Sequence, residues 1–281
     1  MDLRPSSRHR PSAPPELTGT ILTTDGERIS AAYDVGPPAS VLTFVVAHGF
    51  TGGWRRPDNR RVACALAKFG AVVSFDSRGH GRSSGLTTLG ESEVLDLDAA
   101  VGWARWLGAE AVVSVGFSMG GSVVLRQAAL CHLSGRDAPD AVVSVSAAGF
   151  WFYRGTPPMR LLHRAVETRR GRAALSLGLG TRVTRRAWAE PFPLSPSEAA
   201  SMIAPLPLLL VHGTQDAYFP LEHAQSLRAA AAAGAEERHV EDRTEQWVID
   251  GFGHAESAAT DEIVSRIGAW ARAVVPAGDL T

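Results

Sequence analysis

Apolar residues in this chain fall into short continuous runs, and between the runs they recur at helical spacing. Residues 41–47 and 71–75 are two such runs, and 141–145 and 206–211 are two more. Each is the length of a buried strand and too short for a helix. Val112, Val113 and Val115 make a further β-branched run. It ends at Gly116-Phe117-Ser118-Met119-Gly120, after which Gly121, Val124, Leu125 and Ala128 share one helical face. Helical spacing also marks residues 60–69, a stretch with Val94, Leu97, Val101 and Ala104, residues 221–233 and residues 255–274. Residues 246–249 read as a short strand, and 235–245 fit neither period. Residues 20–24 and 28–33 alternate loosely around Asp25-Gly26, the signature of a hairpin and of an antiparallel sheet edge.

Alternating strands and helices with apolar central strands predict an α/β fold, a mostly parallel sheet covered on both faces. The alternation breaks between residues 150 and 204, which carry Trp151, Phe152, Tyr153, Trp188 and several prolines. That block is expected to be a cap inserted above the C-terminal ends of the strands. The predicted organisation is a flexible tail over 1–19, a first core part over 20–149, the cap or lid over 150–204, and a second core part over 205–281.

Composition narrows the partners. The 281 residues carry 28 basic and 29 acidic side chains, a net charge of −1, which gives no general attraction to nucleic acid. Lys68 is the sole lysine, so the arginine bias reads as genome composition. Cys64 and Cys131 fall in predicted helices and are expected to be buried free thiols, in keeping with the cytoplasm. No apolar run approaches a membrane span, and residues 1–19 lack the apolar segment of a secretory signal. A cytoplasmic protein without stable membrane insertion is expected. Neither the cysteine spacing nor any His-x-x-x-His pair suggests a metal site, and no cofactor is expected.

Strand, tight turn and helix around G-x-S-x-G form a context that lifts the central serine above the sheet. Ser118 then lies at a helix N-terminus, where unpaired N–H groups favour developing negative charge. A serine hydroxyl needs a base. His254, in Gly251-Phe252-Gly253-His254 after the last predicted strand, has the topological position to supply it. The base needs an acid to fix its tautomer. Asp216, just past the 206–211 strand, fits, with Asp242 and Asp250 as rivals. Asp250 is too close in sequence to His254 to reach across easily, and Asp242 lies in the unassigned segment. An oxyanion would be met by the backbone N–H of Met119 and by that of Phe50, in the glycine-rich loop after the 41–47 strand.

Taken together, these segments resemble the α/β-hydrolase fold superfamily, on its serine esterase and lipase branch, over about residues 20–274. His48-Gly49-Phe50 resembles the oxyanion motif, and the Asp76 to Ser83 loop the D-x-R-G-x-G-x-S loop. Gly116 to Gly120 resembles the nucleophile elbow, His212 to Asp216 the acid loop, and Gly251 to His254 the base loop. The resemblance implies an eight-stranded sheet and hydrolysis through an acyl-enzyme. It also implies that His48, His80 and His212 brace loops.

The expected activity is hydrolysis of a small-molecule carboxylic ester with a small to medium acyl chain, a monoacylglycerol-like lipid among the candidates. An acyltransferase or thioesterase would use the same acyl-enzyme, and a small-ligand receptor would keep the fold without turnover. A serine at the elbow argues against epoxide hydrolases and haloalkane dehalogenases, which use aspartate there. Phe117, Trp151, Phe152 and Tyr153, with Phe50 and Met119, are expected to line the acyl pocket. Nine arginines against two acids between residues 151 and 190 read first as a solvated face, and second as attraction for anionic substrates or a phospholipid surface. The sequence leaves the oligomeric state open.

Overall fold

The computed structural model describes residues 15–275 except 39, 137 and 189. Most of the expected 1–19 tail, residues 1–14, lies outside the described residues. Of the rest, Leu17 already opens strand β1 (Leu17–Leu22), whose first three residues pair with Tyr33, Ala32 and Ala31. β1 and β2 (Arg28–Asp34) form the antiparallel hairpin around Asp25-Gly26.

From there the chain alternates. β3 (Leu42–Ala47) leads into α1 (Pro57–Leu66), β4 (Ala71–Phe75) into α2 (Glu93–Trp106), and β5 (Ala111–Phe117) into α3 (Met119–Ser134). β6 (Ala141–Val145) is followed by α4 (Pro157–Glu167), α5 (Arg169–Leu179) and the short α6 (Pro196–Ala200). β7 (Leu208–Gly213), α7 (Leu221–Glu237), β8 (Thr244–Ile249), α8 (Ala255–Ala258) and α9 (Asp261–Val274) complete it. The stretch 235–245 resolves into the end of α7, a turn and the first residues of β8. There Asp242 accepts the Thr244 N–H at 3.0 Å and pairs with Arg228, which leaves it outside the site.

The sheet has eight strands in the order β1-β2-β4-β3-β5-β6-β7-β8, parallel from β4 to β8. Period two along each strand divides its side chains between two cores. Val45, Val73, Val112, Val142 and Leu208 pack under α2, α3 and α7 on one face. Phe44, Val72, Val113, Val143 and Leu209 pack under α1 and α9 on the other. Side chains buried on both faces are what a covered parallel sheet requires.

Strand order fixes where a ligand can go. From β3 the chain steps to β4 on one side, then crosses to β5 on the other, so α1 and α3 leave toward opposite faces. Loops that diverge from neighbouring strand ends open a crevice there. Over it stand α4 and α5, packed on each other. This pair is tied to the body by a bridge between Thr87 and Val183 and by Trp188 Nε1, which donates to Thr88 O at 2.7 Å. α6 behaves differently. Ala199 and Ala200 are fully buried and join the core beside α3 and α7, so the end of the 150–204 block belongs to the body.

Candidate active site

The elbow after β5 is a packing solution before it is a chemical one. A side chain at Gly116 would collide with the backbone carbonyl of Gly120, and one at Gly120 with that of Ala47. With both gaps closed by backbone, Ser118 is held at φ 50° and ψ −113°, a sparsely populated region that costs about 1–3 kcal/mol. Its N–H donates to Val145 O at 2.8 Å, which locks the turn to β6. The hydroxyl stands at the start of α3.

The structure brings three distant side chains together there. Ser118 Oγ lies 2.9 Å from His254 Nε2, and His254 Nδ1 lies 2.8 and 2.9 Å from the two carboxylate oxygens of Asp216. Asp216 also accepts the N–H groups of Tyr218 and Phe219 at 2.8 and 3.0 Å. Burial pushes the Asp216 carboxyl up, but its bonds and charge contact with His254, helped by those two N–H groups, outweigh burial and hold it below the ordinary carboxylate range. The loop carrying the imidazole is pinned at several points. Gln215 N–H donates to Phe252 O, Ala255 N–H donates to Ser146 Oγ, and the Tyr218 ring stacks on His254 at 4.3 Å. Asp250, the other rival acid, faces away and accepts Thr214 Oγ1.

The loop after β3 is oriented by histidines. His48 Nε2 accepts the Ser77 N–H at 3.0 Å, which leaves the proton on Nδ1 to donate to Gly49 O at 2.7 Å. Gly52 N–H donates to the same carbonyl at 2.9 Å. With the Gly49 carbonyl held from one side, the N–H of Phe50 on that planar trans peptide points the other way. Among the described residues the N–H groups of Phe50 and Met119 have no acceptor. His80, which accepts Thr51 N–H and donates to Arg78 O, is driven down to about 3 by burial and then by nearby His48, so it braces the loop as a neutral ring. His212 braces its own strand end by donating to Phe219 O at 2.7 Å.

Residues 44–265 match the sequence profile of the alpha/beta hydrolase family. The chain belongs to that family. Comparison with curated proteins finds no match. Among solved structures this α/β hydrolase is similar to the esterase Pf2001 of Pyrococcus furiosus, at 24% identity and TM-score 0.69 over 92% of this chain and 93% of that one. The esterase domain of a Rhodothermus marinus protein follows at 23% and 0.61, over 92% and 99%. Est1E of Butyrivibrio proteoclasticus, solved with ferulic acid, stands at 21% and 0.56, over 91% and 100%. At such identities the likeness is one of fold.

Ser118 and His254 of this α/β hydrolase open onto a cavity of about 1110 Å³ between the sheet and the α4–α5 pair. Phe50, Met119, Trp151, Phe152 and Tyr153 line it. Phe117 does not. It shares the phase of Val113 and Val115 and is fully buried in the core beneath α1 and α9, on the face of the sheet away from α3. Two-residue periodicity was visible in the sequence and carries the correction: proximity to the elbow does not override the side of the strand.

Several lining residues gave no signal in the sequence. Leu161, Leu162, Val166, Leu175 and Val183 supply an aliphatic wall from α4, α5 and the segment after them. Glu256 reaches the cavity from α8 and Asn59 from α1. His223 stacks on Phe150 at 4.3 Å and accepts the Gly149 N–H, and burial drives it down to about 4. Cys64 is half-buried and Cys131 is buried, its Sγ accepting from Gln127 Nε2 at 3.3 Å. Among the described residues no group of His, Cys, Asp and Glu side chains could hold a metal ion, and no helix is long and apolar enough to cross a membrane.

Proposed function

We propose that this α/β hydrolase cleaves carboxylic esters through an acyl-enzyme on Ser118. The observation that carries the reading is the continuous chain Ser118 Oγ, His254, Asp216, with the backbone N–H groups of Phe50 and Met119 lacking acceptors among the described residues. His254 Nε2 takes the hydroxyl proton as Oγ attacks the carbonyl carbon, and Asp216 steadies the imidazolium. The carbonyl oxygen becomes an oxyanion held by the N–H groups of Phe50 and Met119. His254 then delivers the proton to the departing alcohol. Water, activated by the same imidazole, releases the acid.

The aromatic and aliphatic lining supports a small to medium hydrocarbon acyl group. The role of residues 150–195 as a substrate-selecting cap belongs to the same reading. Ser118→Ala is expected to lower kcat/KM for p-nitrophenyl esters by about 10⁴-fold or more while leaving the unfolding midpoint near wild type. A fluorophosphonate probe should label Ser118 and fail to label His254→Ala. Esterase activity of wild-type size in Ser118→Ala would end the proposal. An added alcohol or thiol that diverts the acyl group from water would move the assignment to acyl transfer.

A further inference from the structure

Glu256 brings a second carboxylate to the reacting centre. It follows the proposed base by two positions and is 9% exposed. Its Oε1 accepts the N–H of Gly49 at 2.6 Å. Its Oε2 lies 3.2 Å from the point where a Gly49 side chain would begin, and Ser118 Cβ lies at the same distance from that point. A carboxylate oxygen therefore stands across a single glycine from the nucleophile. That oxygen has no donor among the described residues, and the side chain lines the cavity.

Among the described residues no cation forms an ion pair with it. Arg61 approaches α8, but its guanidinium donates to the backbone carbonyls of Glu256 and Ala259 and pairs with Asp58 and Asp261. The same contacts hold α1 against α8. From α1, Asn59 lines the same cavity at 5% exposure, and its Oδ1 is buried with no hydrogen-bond partner among the described residues. A buried acceptor without a donor, such as Asn59 Oδ1, is costly, and Glu256 Oε2 is open to a donor from the cavity. A hydrogen-bond donor on the ligand would remove that cost, and a cationic donor would also offset charge beside the developing oxyanion.

We propose that Glu256, with Asn59 on the same wall, is the specificity-determining acceptor of the site. It selects substrates that carry a hydroxyl or ammonium donor close to the ester, while the cap holds the hydrocarbon part. The inference rests on the esterase reading for its substrate class. Donor recognition is itself a binding property and is tested without turnover.

The test is calorimetric titration of the full-length protein with three ethers that it cannot hydrolyse: a hexyl ether of glycerol, a hexyl ether of ethanolamine, and hexyl propyl ether. Wild type is expected to bind one or both donor-bearing ethers about tenfold more tightly than hexyl propyl ether. Glu256→Gln keeps the size and the acceptor for Gly49 N–H but loses the charge, and should cost the ammonium ligand about tenfold and the glycerol ligand less. Glu256→Leu should abolish both preferences. Equal binding of all three ethers by wild type, or a preference that survives both substitutions, overturns the proposal. In turnover, the glycerol ester should lose to propyl hexanoate in Glu256→Leu through KM. A fall in kcat that is equal for both esters would mean that Glu256 only braces Gly49, and would also overturn it. Ester cleavage that persists in Ser118→Ala would defeat the esterase reading and leave the ether titrations standing on their own.

Discussion

Asp216 accepts from His254 with both carboxylate oxygens and from two backbone N–H groups besides, so its geometry does not depend on the imidazole alone. Asp216→Asn should therefore preserve the loop. An amide can donate to Nδ1 and stabilise the wrong tautomer, and it carries no charge to steady an imidazolium. The expected loss in kcat is about 10⁴-fold with little change in melting temperature, read by steady-state kinetics beside calorimetry. His80 and His223 make a second expectation at this scale. Both refuse a proton in the fold, His80 down to about 3 and His223 down to about 4, against an ordinary 6.5. Above 6.5 both states are neutral and nothing is at stake. As pH falls below 6.5 the unfolded chain takes up protons that the folded chain does not, so stability drops until the folded values are reached. Each ring contributes up to about 1.4 kcal/mol per pH unit in that window. Urea midpoints should fall steadily from pH 6.5 to 4, and His80→Gln should make that slope shallower.

Elements are held to one another by buried charge as well as by apolar packing. Arg78, in the loop after β4, donates through its side chain to Asp96 of α2 at 2.8 and 2.9 Å and to Asp25 of the hairpin turn at 2.7 Å. Its own N–H also reaches Asp96. The Asp96 side chain is fully buried and that of Arg78 nearly so. Asp96→Ala would leave the buried guanidinium with Asp25 as its remaining carboxylate, and is expected to cost about 3 kcal/mol in denaturant unfolding. The strands and most helices of this arrangement were legible from apolar runs and from the 3.6-residue period. So were the loops that end in Ser118, Asp216 and His254, because each follows a strand whose own pattern is strong. The rest has separate physical causes. Phe117 was read by nearness in sequence, though alternation puts it beneath the sheet. Pro196–Ala200 falls inside the 150–204 block, though two alanines small enough to lie between α3 and α7 draw it into the body. Glu256 and Asn59 left no mark, because their meaning depends on α1 and α8 meeting, a contact between segments about two hundred residues apart.

In the whole molecule, the proposed reacting groups come from the central sheet and its loops, while about half of the cavity lining comes from residues 150–192, the α4–α5 pair among them. Ser118, the histidine-braced loop and Asp216 stand at the ends of β5, β3 and β7, so strand order assembles them. The covering pair adds Leu161, Leu175 and their neighbours from α4 and α5, and meets the body through few backbone bonds around Thr87 and Val183. A chimaera in which residues 150–195 are replaced by the corresponding segment of another family member, with Arg182 and Val183 retained, should still be labelled at Ser118. Its preferred acyl length should shift, as read from a series of p-nitrophenyl esters. The crevice where β3 and β5 part therefore works as a fixed socket. Evolution or a designer can change what this scaffold accepts by exchanging the fitting above it, and leave the reaction beneath untouched.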